Sequence, residues 1–174
     1  MNNVLVAYFS HKGENYFNGN IKNISKGNTE IIAEMIQDNL GCDIFEIKSA
    51  KDYPINYRQC VDVAREENNK NIYPELKEDL DDLNSYDTII LGYPNWCGTM
   101  PMVVFSFLSK HDLKNKTIMP FCTNEGSGMG TSENDLKRLC KDSKIVKGLA
   151  IHGSEVNNSR GLIDNWLQKM KGSL

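Results

Sequence analysis

Unbroken apolar runs alternate along the chain with segments of helical, amphipathic spacing. Val4 to Phe9 and Thr88 to Gly92 are continuous apolar runs, the pattern of parallel strands that are covered on both faces. Thr29 to Leu40 places its apolar residues on one side of a helix, and Gly41 follows as a residue typical of a helix C-terminus. The start of the chain is therefore predicted to be a strand followed by a helix.

The same alternation continues along the rest of the chain. Further strands are predicted at Cys42 to Ile47, Thr117 to Cys122 and Ile145 to Ile151. Further helices are predicted within the polar segment Tyr53 to Asn71 and at Pro101 to Leu108, Ser132 to Cys140 and Leu162 to Met170. Five strands that alternate with helices predict an α/β fold with a three-layer, open, parallel five-stranded sheet, and we expect residues 1–174 to form a single domain.

Charge and cysteine content exclude several classes of function. The 20 basic and 23 acidic residues give a net charge of -3, which argues against a general nucleic-acid binder. No apolar run approaches the roughly 20 residues that span a bilayer, and no signal peptide is recognised, so we expect no membrane association. The five scattered cysteines form no CxxC pair, which predicts reduced thiols, a cytoplasmic location and no metal site.

One acidic segment stands out, because residues 62–87 hold nine acidic and three basic residues. Leu76, Leu80 and Leu83 recur within it at helical spacing, which predicts a helix whose other face is solvated. The alternative is a docking patch for a basic protein partner.

The loop after the first strand, Ser10 to Thr29, exceeds the roughly 2 to 6 residues usual between a strand and a helix, so it contains an insertion. It ends in Gly27 and Asn28 at the start of the first helix, where free N–H groups and the helix dipole favour a phosphate. The alternative is that Asn28 or Thr29 only caps the helix. The Walker and G-x-G-x-x-G patterns are absent, which disfavours nucleoside triphosphate hydrolysis.

Two further loops follow buried strands and carry unusual side chains. Gly92 to Pro101 holds Trp96, whose indole could stack on a flat ligand or could only cover the rim of the core. Cys97 has no base beside it in the sequence, so packing is a better interpretation than nucleophilic catalysis. Thr123 to Gly130 is rich in glycine, which would let its backbone line the edge of a ligand.

Taken in order, the three loops resemble those of flavodoxin and its FMN-binding relatives. The residues that carry the resemblance are Ser10, G-N-T at 27–29, G-Y-P-N-W-x-G-T-x-P at 92–101 and T-N-E-G-S-G at 123–128. The resemblance spans nearly the whole chain and implies a flavodoxin-like strand order of 2-1-3-4-5 with one non-covalently bound FMN.

The resemblance also implies which residues hold the cofactor and names none as catalytic. Those around the phosphate are Ser10, Lys26, Gly27, Asn28 and Thr29. Those flanking the isoalloxazine are Pro94, Asn95, Trp96, Cys97, Gly98, Thr123, Asn124, Glu125, Gly126 and Ser127.

The chain departs from flavodoxins in two respects. Flavodoxin phosphate loops are short and rich in Ser and Thr, whereas the insertion here brings the basic residues His11, Lys12 and Lys26 close to the phosphate site. Which of these contacts the phosphate stays open. Electron-carrying flavodoxins are also strongly acidic, while this chain has a net charge of only -3.

Two functions remain open. The favoured one is electron transfer between redox protein partners, because no residue near the expected ring has an evident acid–base role. The alternative is an NAD(P)H- or quinone-dependent FMN oxidoreductase, in which the insertion and Trp96 roof a pocket for a small electron acceptor. A phosphorylatable receiver domain is excluded because the first strand ends in Tyr8, Phe9 and Ser10, without an acidic residue.

Overall fold

The structure is a computed structural model that describes residues 3–171 of the chain. Its strands are β1 (Val4–Tyr8), β2 (Gly13–Phe17), β3 (Asn20–Ile24), β4 (Asp43–Glu46), β5 (Thr88–Pro94), β6 (Thr117–Asn124), β7 (Lys144–Ile145) and β8 (Leu149–His152). Its α-helices are α1 (Asn28–Leu40), α2 (Tyr57–Lys70), α3 (Met102–Lys110), α4 (Ser132–Leu139) and α5 (Arg160–Met170), and a short 3₁₀ helix covers Gly153–Asn158.

The central sheet is parallel throughout, with β1 between β4 and β5 and with β6 beyond β5. Val6 of β1 pairs with Ile44 on one side and with Ile90 on the other, so the apolar runs lie side by side. The predicted α/β fold with a three-layer, mainly parallel sheet is confirmed.

The edge beyond β6 differs in detail from the predicted order 2-1-3-4-5. The predicted fifth strand is two short strands, β7 and β8, and both pair with β6. Side chains bond the backbone between them: Glu133 accepts the Gly148 N–H at 2.7 Å, and the Trp166 Nε1–H donates to the Lys147 carbonyl at 3.3 Å. Because side chains satisfy these groups, the ladder is interrupted without leaving them unpaired.

Alternate side chains of the strands enter two core layers, one on each face of the sheet. Leu5 and Ala7 of β1 face the layer that contains Phe107 of α3, whereas Val6 of β1 faces the layer that contains Ile32 of α1. The continuous apolar run of β1 follows from this burial on both faces. The side chains are therefore used up in packing, and the loops at the strand ends carry the polar groups.

The insertion after β1 is an antiparallel hairpin, β2 and β3, which the sequence interpretation treated as a loop. Its turn is Asn18-Gly19, with φ angles of 52° and 81°. Asn-Gly between two short segments is a strong signal for a two-residue hairpin turn, so this element was readable from the sequence. Its strands are poor in apolar residues and project away from the central sheet.

The predicted helix around Leu76, Leu80 and Leu83 is absent, because α2 ends at Lys70 and the following segment is irregular. The three leucines nevertheless pack against the core. The Lys116 ammonium donates to the carbonyls of Leu83 and Tyr86, both at 2.7 Å. Tertiary contacts, rather than a helix, hold this acidic segment. No helix in residues 3–171 is long and apolar enough to cross a membrane.

Candidate functional site

A cavity of about 590 Å³ opens at the carboxyl ends of β1, β5 and β6. This volume lies in the range of roughly 300 to 1,000 Å³ that is typical of small-molecule sites. The position is also the one expected for ligands in open α/β sheets, where neighbouring strands connect in opposite directions. Ten of the fifteen predicted cofactor residues line it, namely Asn28, Thr29, Pro94, Asn95, Trp96, Cys97, Thr123, Asn124, Glu125 and Ser127.

The other five predicted residues lie next to the cavity but outside its lining. Ser10 and Gly27 shape the start of α1, while Gly98 and Gly126 form turns with positive φ. The Lys26 ammonium pairs with the Glu34 carboxylate on the surface of α1. Lys26 therefore points along the helix rather than into the cavity.

The N-terminus of α1 faces the cavity without a side-chain cap. Gly27 occupies the N-cap position, and its carbonyl accepts the Ile31 N–H at 3.2 Å. The Ser10 hydroxyl accepts the Glu30 N–H at 3.1 Å. No side chain in the described part of the chain caps the first amides of α1, at Asn28 and Thr29, so they are available to an anion.

Close packing explains the glycine at position 27. A Cβ placed there would lie 2.0 Å from the Ser10 Oγ and 3.0 Å from the His11 carbonyl oxygen. Any larger residue would push Ser10 away from the Glu30 amide. Gly27 thus brings the end of β1 and the start of α1 together at the cavity.

The first and third loops are joined by a buried hydrogen bond. The Thr29 and Thr123 hydroxyls lie 2.8 Å apart, and both residues line the cavity. A hydroxyl can donate one hydrogen bond while it accepts another. Thr29 can therefore accept from Thr123 and still donate to a bound anion.

The second loop contains a two-residue turn at Cys97 and Gly98. The backbone groups of Trp96 and Thr99 bond each other in both directions, at 2.9 Å and 3.1 Å. Cys97 and Gly98 have φ angles of 54° and 80°, which identifies a type I′ turn. The Gly98 carbonyl accepts the Thr131 N–H at 2.8 Å, so the third loop supports the turn.

Trp96 is held by other aromatic rings as well as lining the cavity. Its indole meets Phe9, Tyr53 and His11 edge to face, with ring centroids 5.1 Å, 5.0 Å and 5.6 Å away. The side chain is half-buried against the core layer that contains Phe9. Both readings of this residue, as a rim aromatic and as a ligand contact, therefore fit its position.

Glu125 of the third loop reaches across to the hairpin. Its carboxylate accepts the Asn18 N–H at the hairpin turn at 3.1 Å and lies 3.6 Å from the His152 Nε2. Within the same loop, the Asn124 side chain accepts the Gly126 N–H at 2.8 Å. These contacts close the cavity on the side of the hairpin turn.

The hairpin and α2 form a wall of the cavity that the sequence interpretation did not include. Glu14 fixes the two elements to each other, because its carboxylate accepts from the Tyr57 N–H at 2.8 Å and from the Asn56 side chain at 3.0 Å. Seven α2 residues line the cavity, namely Tyr57, Cys60, Val61, Ala64, Arg65, Asn68 and Asn69. The signal for this wall was present, since few apolar residues recur at helical spacing within an otherwise polar segment.

Burial keeps the ionisable side chains around the cavity in their neutral forms. It lowers the pKa of His11, whose Nε2–H donates to the Pro54 carbonyl at 3.0 Å. It raises the pKa of the Cys97 thiol, and that of the Cys60 thiol to about 12. At neutral pH, His11 is an uncharged imidazole and the two cysteines are thiols rather than thiolates. No cluster of His, Cys, Asp and Glu side chains suited to a metal ion occurs within residues 3–171.

Several solved structures are similar to this one. A putative flavoprotein from Bacteroides uniformis ATCC 8492 matches with a TM-score of 0.76 and 25% identity, covering 96% of this chain and 98% of that chain. A second, from Bacteroides eggerthii DSM 20697, matches with a TM-score of 0.74 and 28% identity, covering 95% and 96%. A flavoprotein from Lactobacillus acidophilus NCFM, solved in complex with FMN, shares the fold with a TM-score of 0.68 and 22% identity, covering 91% and 98%.

No curated protein matches the chain significantly. A family model described as flavodoxin, however, matches residues 3–170, which is nearly the whole chain. This match confirms the resemblance that the three loops carry. The chain belongs to the flavodoxin family.

Proposed function

We propose that the chain binds one FMN in the cavity and uses it to transfer electrons. FMN is the cofactor of the flavodoxin family, in agreement with the prediction from the sequence. The observation that carries the proposal is the cavity itself, where the uncapped start of α1 meets the loops after β5 and β6. The Lactobacillus flavoprotein that was solved with FMN supports it, because it has the same fold.

The chemistry of the cavity fits FMN at both of its ends. The amides of Asn28 and Thr29 and the hydroxyl of Thr29 would hold the phosphate, while Ser10 keeps the helix end in place. The segments Pro94–Gly98 and Thr123–Ser127 would flank the isoalloxazine. We do not assign Lys26 to the phosphate, because its ammonium pairs with Glu34.

FMN supplies the redox chemistry, since it accepts and releases electrons one or two at a time. The side chains of the protein position the ring, keep water away from it and set its electrostatic surroundings. The neutral forms of His11, Cys60 and Cys97 offer no nearby group that is poised to exchange protons at neutral pH. This supports electron transfer to a redox partner rather than acid–base catalysis.

A second candidate is an FMN oxidoreductase that uses NAD(P)H or a quinone and acts on a small molecule. It is favoured by the wall that the hairpin and α2 form, because the wall extends the cavity beyond the three loops. A protein partner needs only an exposed edge of the flavin, whereas a small substrate needs an enclosed space. The five free cysteines support the expectation of a reducing, cytoplasmic location for either function.

Purified protein is expected to be yellow and to release FMN, rather than FAD, on denaturation. The reason is that the cavity has one uncapped helix N-terminus for one phosphate group. The measurement is chromatography of the released flavin, followed by titration of the apoprotein with FMN under fluorescence detection. Colourless protein that takes up no FMN would refute the proposed function.

Replacing Trp96 with alanine is expected to weaken FMN binding by about 2- to 12-fold, since an aromatic contact contributes about 0.5–1.5 kcal/mol beyond area burial. The apoprotein should also lose about 1–3 kcal/mol of stability, because the half-buried indole packs against Phe9 and Tyr53. Fluorescence titration and denaturant unfolding measure the two effects.

The matched control for this variant uses the other tryptophan, Trp166 of α5, which packs in the opposite core layer. Trp166→Phe should lower stability and leave FMN affinity unchanged, whereas Trp96→Phe should preserve most of both. If Trp96→Ala leaves FMN affinity at the wild-type value, the assignment of the second loop to the flavin is wrong.

A further inference from the structure

The part of the cavity between the hairpin and α2, here called the α2 chamber, has aromatic side chains on one side. The rings of Tyr16 and Tyr57 meet edge to face with centroids 4.8 Å apart and an interplanar angle of 78°. Tyr16 comes from β2 and Tyr57 from the first turn of α2, and both line the cavity. Paired aromatic rings of this kind offer flat apolar contact area to a planar ligand.

The floor of the α2 chamber is apolar and close to the second loop. Cys60 and Ala64 are buried and Val61 is half-buried, and helical spacing places them on the cavity side of α2. Cys60 is near enough to Cys97 for the two thiols to influence each other's ionisation. The chamber is therefore continuous with the loop that we assign to the flavin.

The outer end of the α2 chamber carries hydrogen-bond donors that have no intramolecular role. Within residues 3–171, the Arg65 guanidinium makes no ion pair or hydrogen bond, although it is close enough to lower the pKa of the Cys97 thiol. The side chains of Asn68 and Asn69 follow it on the same helix and also line the cavity. A guanidinium and two amides suit a ligand that presents carbonyl oxygens.

The remaining charge around the chamber disfavours a nucleotide. Glu14 places a carboxylate at the N-terminus of α2, which Asn56 also caps, so that helix end has no free site for a phosphate. Arg65 is the one Lys or Arg side chain that lines the described cavity, whereas a dinucleotide carries at least two phosphate charges. A neutral, planar molecule with carbonyl groups fits better.

We propose that the α2 chamber binds a quinone as the electron acceptor of the flavin. This inference rests on the proposed function, because the electrons come from reduced FMN. Reduced FMN gives up two electrons and two protons and becomes oxidised FMN, and the two quinone carbonyls become the two hydroxyls of a hydroquinone. A redox protein that donates electrons to FMN completes the cycle. Tyr57 would contact the quinone ring, and Arg65 would bond a carbonyl oxygen.

The test uses the FMN-loaded protein, photoreduced under anaerobic conditions and mixed rapidly with 2-methyl-1,4-naphthoquinone. Flavin absorbance follows reoxidation over a range of quinone concentrations. The wild-type rate should saturate with quinone, as a binding site requires. Arg65→Ala should raise the half-saturating concentration about tenfold, the loss of one charge-assisted hydrogen bond. Tyr57→Ala should raise it as well, while Tyr57→Phe keeps the ring and should resemble wild type.

Arg58→Ala is the matched control, because Arg58 lies on the same helix, is exposed and does not line the cavity. It should leave the half-saturating concentration unchanged. A wild-type rate that rises linearly with quinone overturns the proposal, and so does saturation that is insensitive to Arg65 and Tyr57. Flavin content is measured before mixing, so a failure to bind FMN is recognised separately as a failure of the proposed function.

Discussion

Replacing Thr29 with alanine should weaken FMN binding by about 10- to 100-fold, as measured by fluorescence titration of the apoprotein. The change removes a hydroxyl that we expect to donate to the phosphate, and a hydrogen bond to a charged group is worth roughly 1.5–3 kcal/mol. Thr29 is buried at the start of α1 and lines the cavity, so no other side chain takes over its position readily.

The contact between the Thr29 and Thr123 hydroxyls complicates this variant, and two controls separate its effects. Thr29→Ser retains the hydroxyl and should restore most of the affinity. Thr123→Ala removes the hydrogen bond between the loops but leaves the Thr29 hydroxyl free for the phosphate, so its loss of affinity should be smaller. Equal losses in Thr29→Ala and Thr123→Ala would mean that the bond between the loops matters and that the phosphate lies elsewhere.

Excising the hairpin, by joining Ser10 to Gly27 through a short Ser/Thr linker, should leave a cooperatively folded protein that still binds the phosphate end of FMN. The apolar side chains of β2 and β3 belong to neither core layer of the described residues, and Tyr16 and Ile21 are exposed. The melting temperature should fall by less than about 10 °C, because the losses are limited to a few surface hydrogen bonds.

The same excision should have a large effect on the α2 chamber, because it removes Glu14, Asn15 and Tyr16 from its wall. Saturation of flavin reoxidation by quinone should disappear, leaving a rate that is proportional to quinone concentration. Thermal unfolding and rapid mixing measure the two outcomes. A variant without a cooperative transition would show that the hairpin is part of the folding unit.

The parts of the structure that were predictable from the sequence are those encoded by local pattern. The apolar runs of β1, β5 and β6 identified the sheet, because a strand buried on both faces cannot contain polar positions. The loops after these strands were recognisable for the same reason, and they supply ten of the predicted cofactor residues to the cavity lining.

The remaining features depend on contacts between residues that are distant in the sequence. Glu14 bonds the start of α2 from 43 positions away, and nothing in its local sequence indicates that partner. Lys26 is attracted to Glu34, so a basic residue beside an anion site does not necessarily face the anion. The leucines of the acidic segment have helical spacing, but core packing and Lys116 determine their conformation.

The bond from Glu14 to the start of α2 links the motion of the hairpin to the stability of the helix. The first turn of α2 contains no acidic residue of its own, so the favourable charge at this helix end comes from β2. If the hairpin swings away, the Tyr57 amide loses its acceptor and the first helical turn frays with it. The cavity therefore opens by a local unfolding event that involves both elements, and any occupant that bridges them protects the helix end from hydrogen exchange.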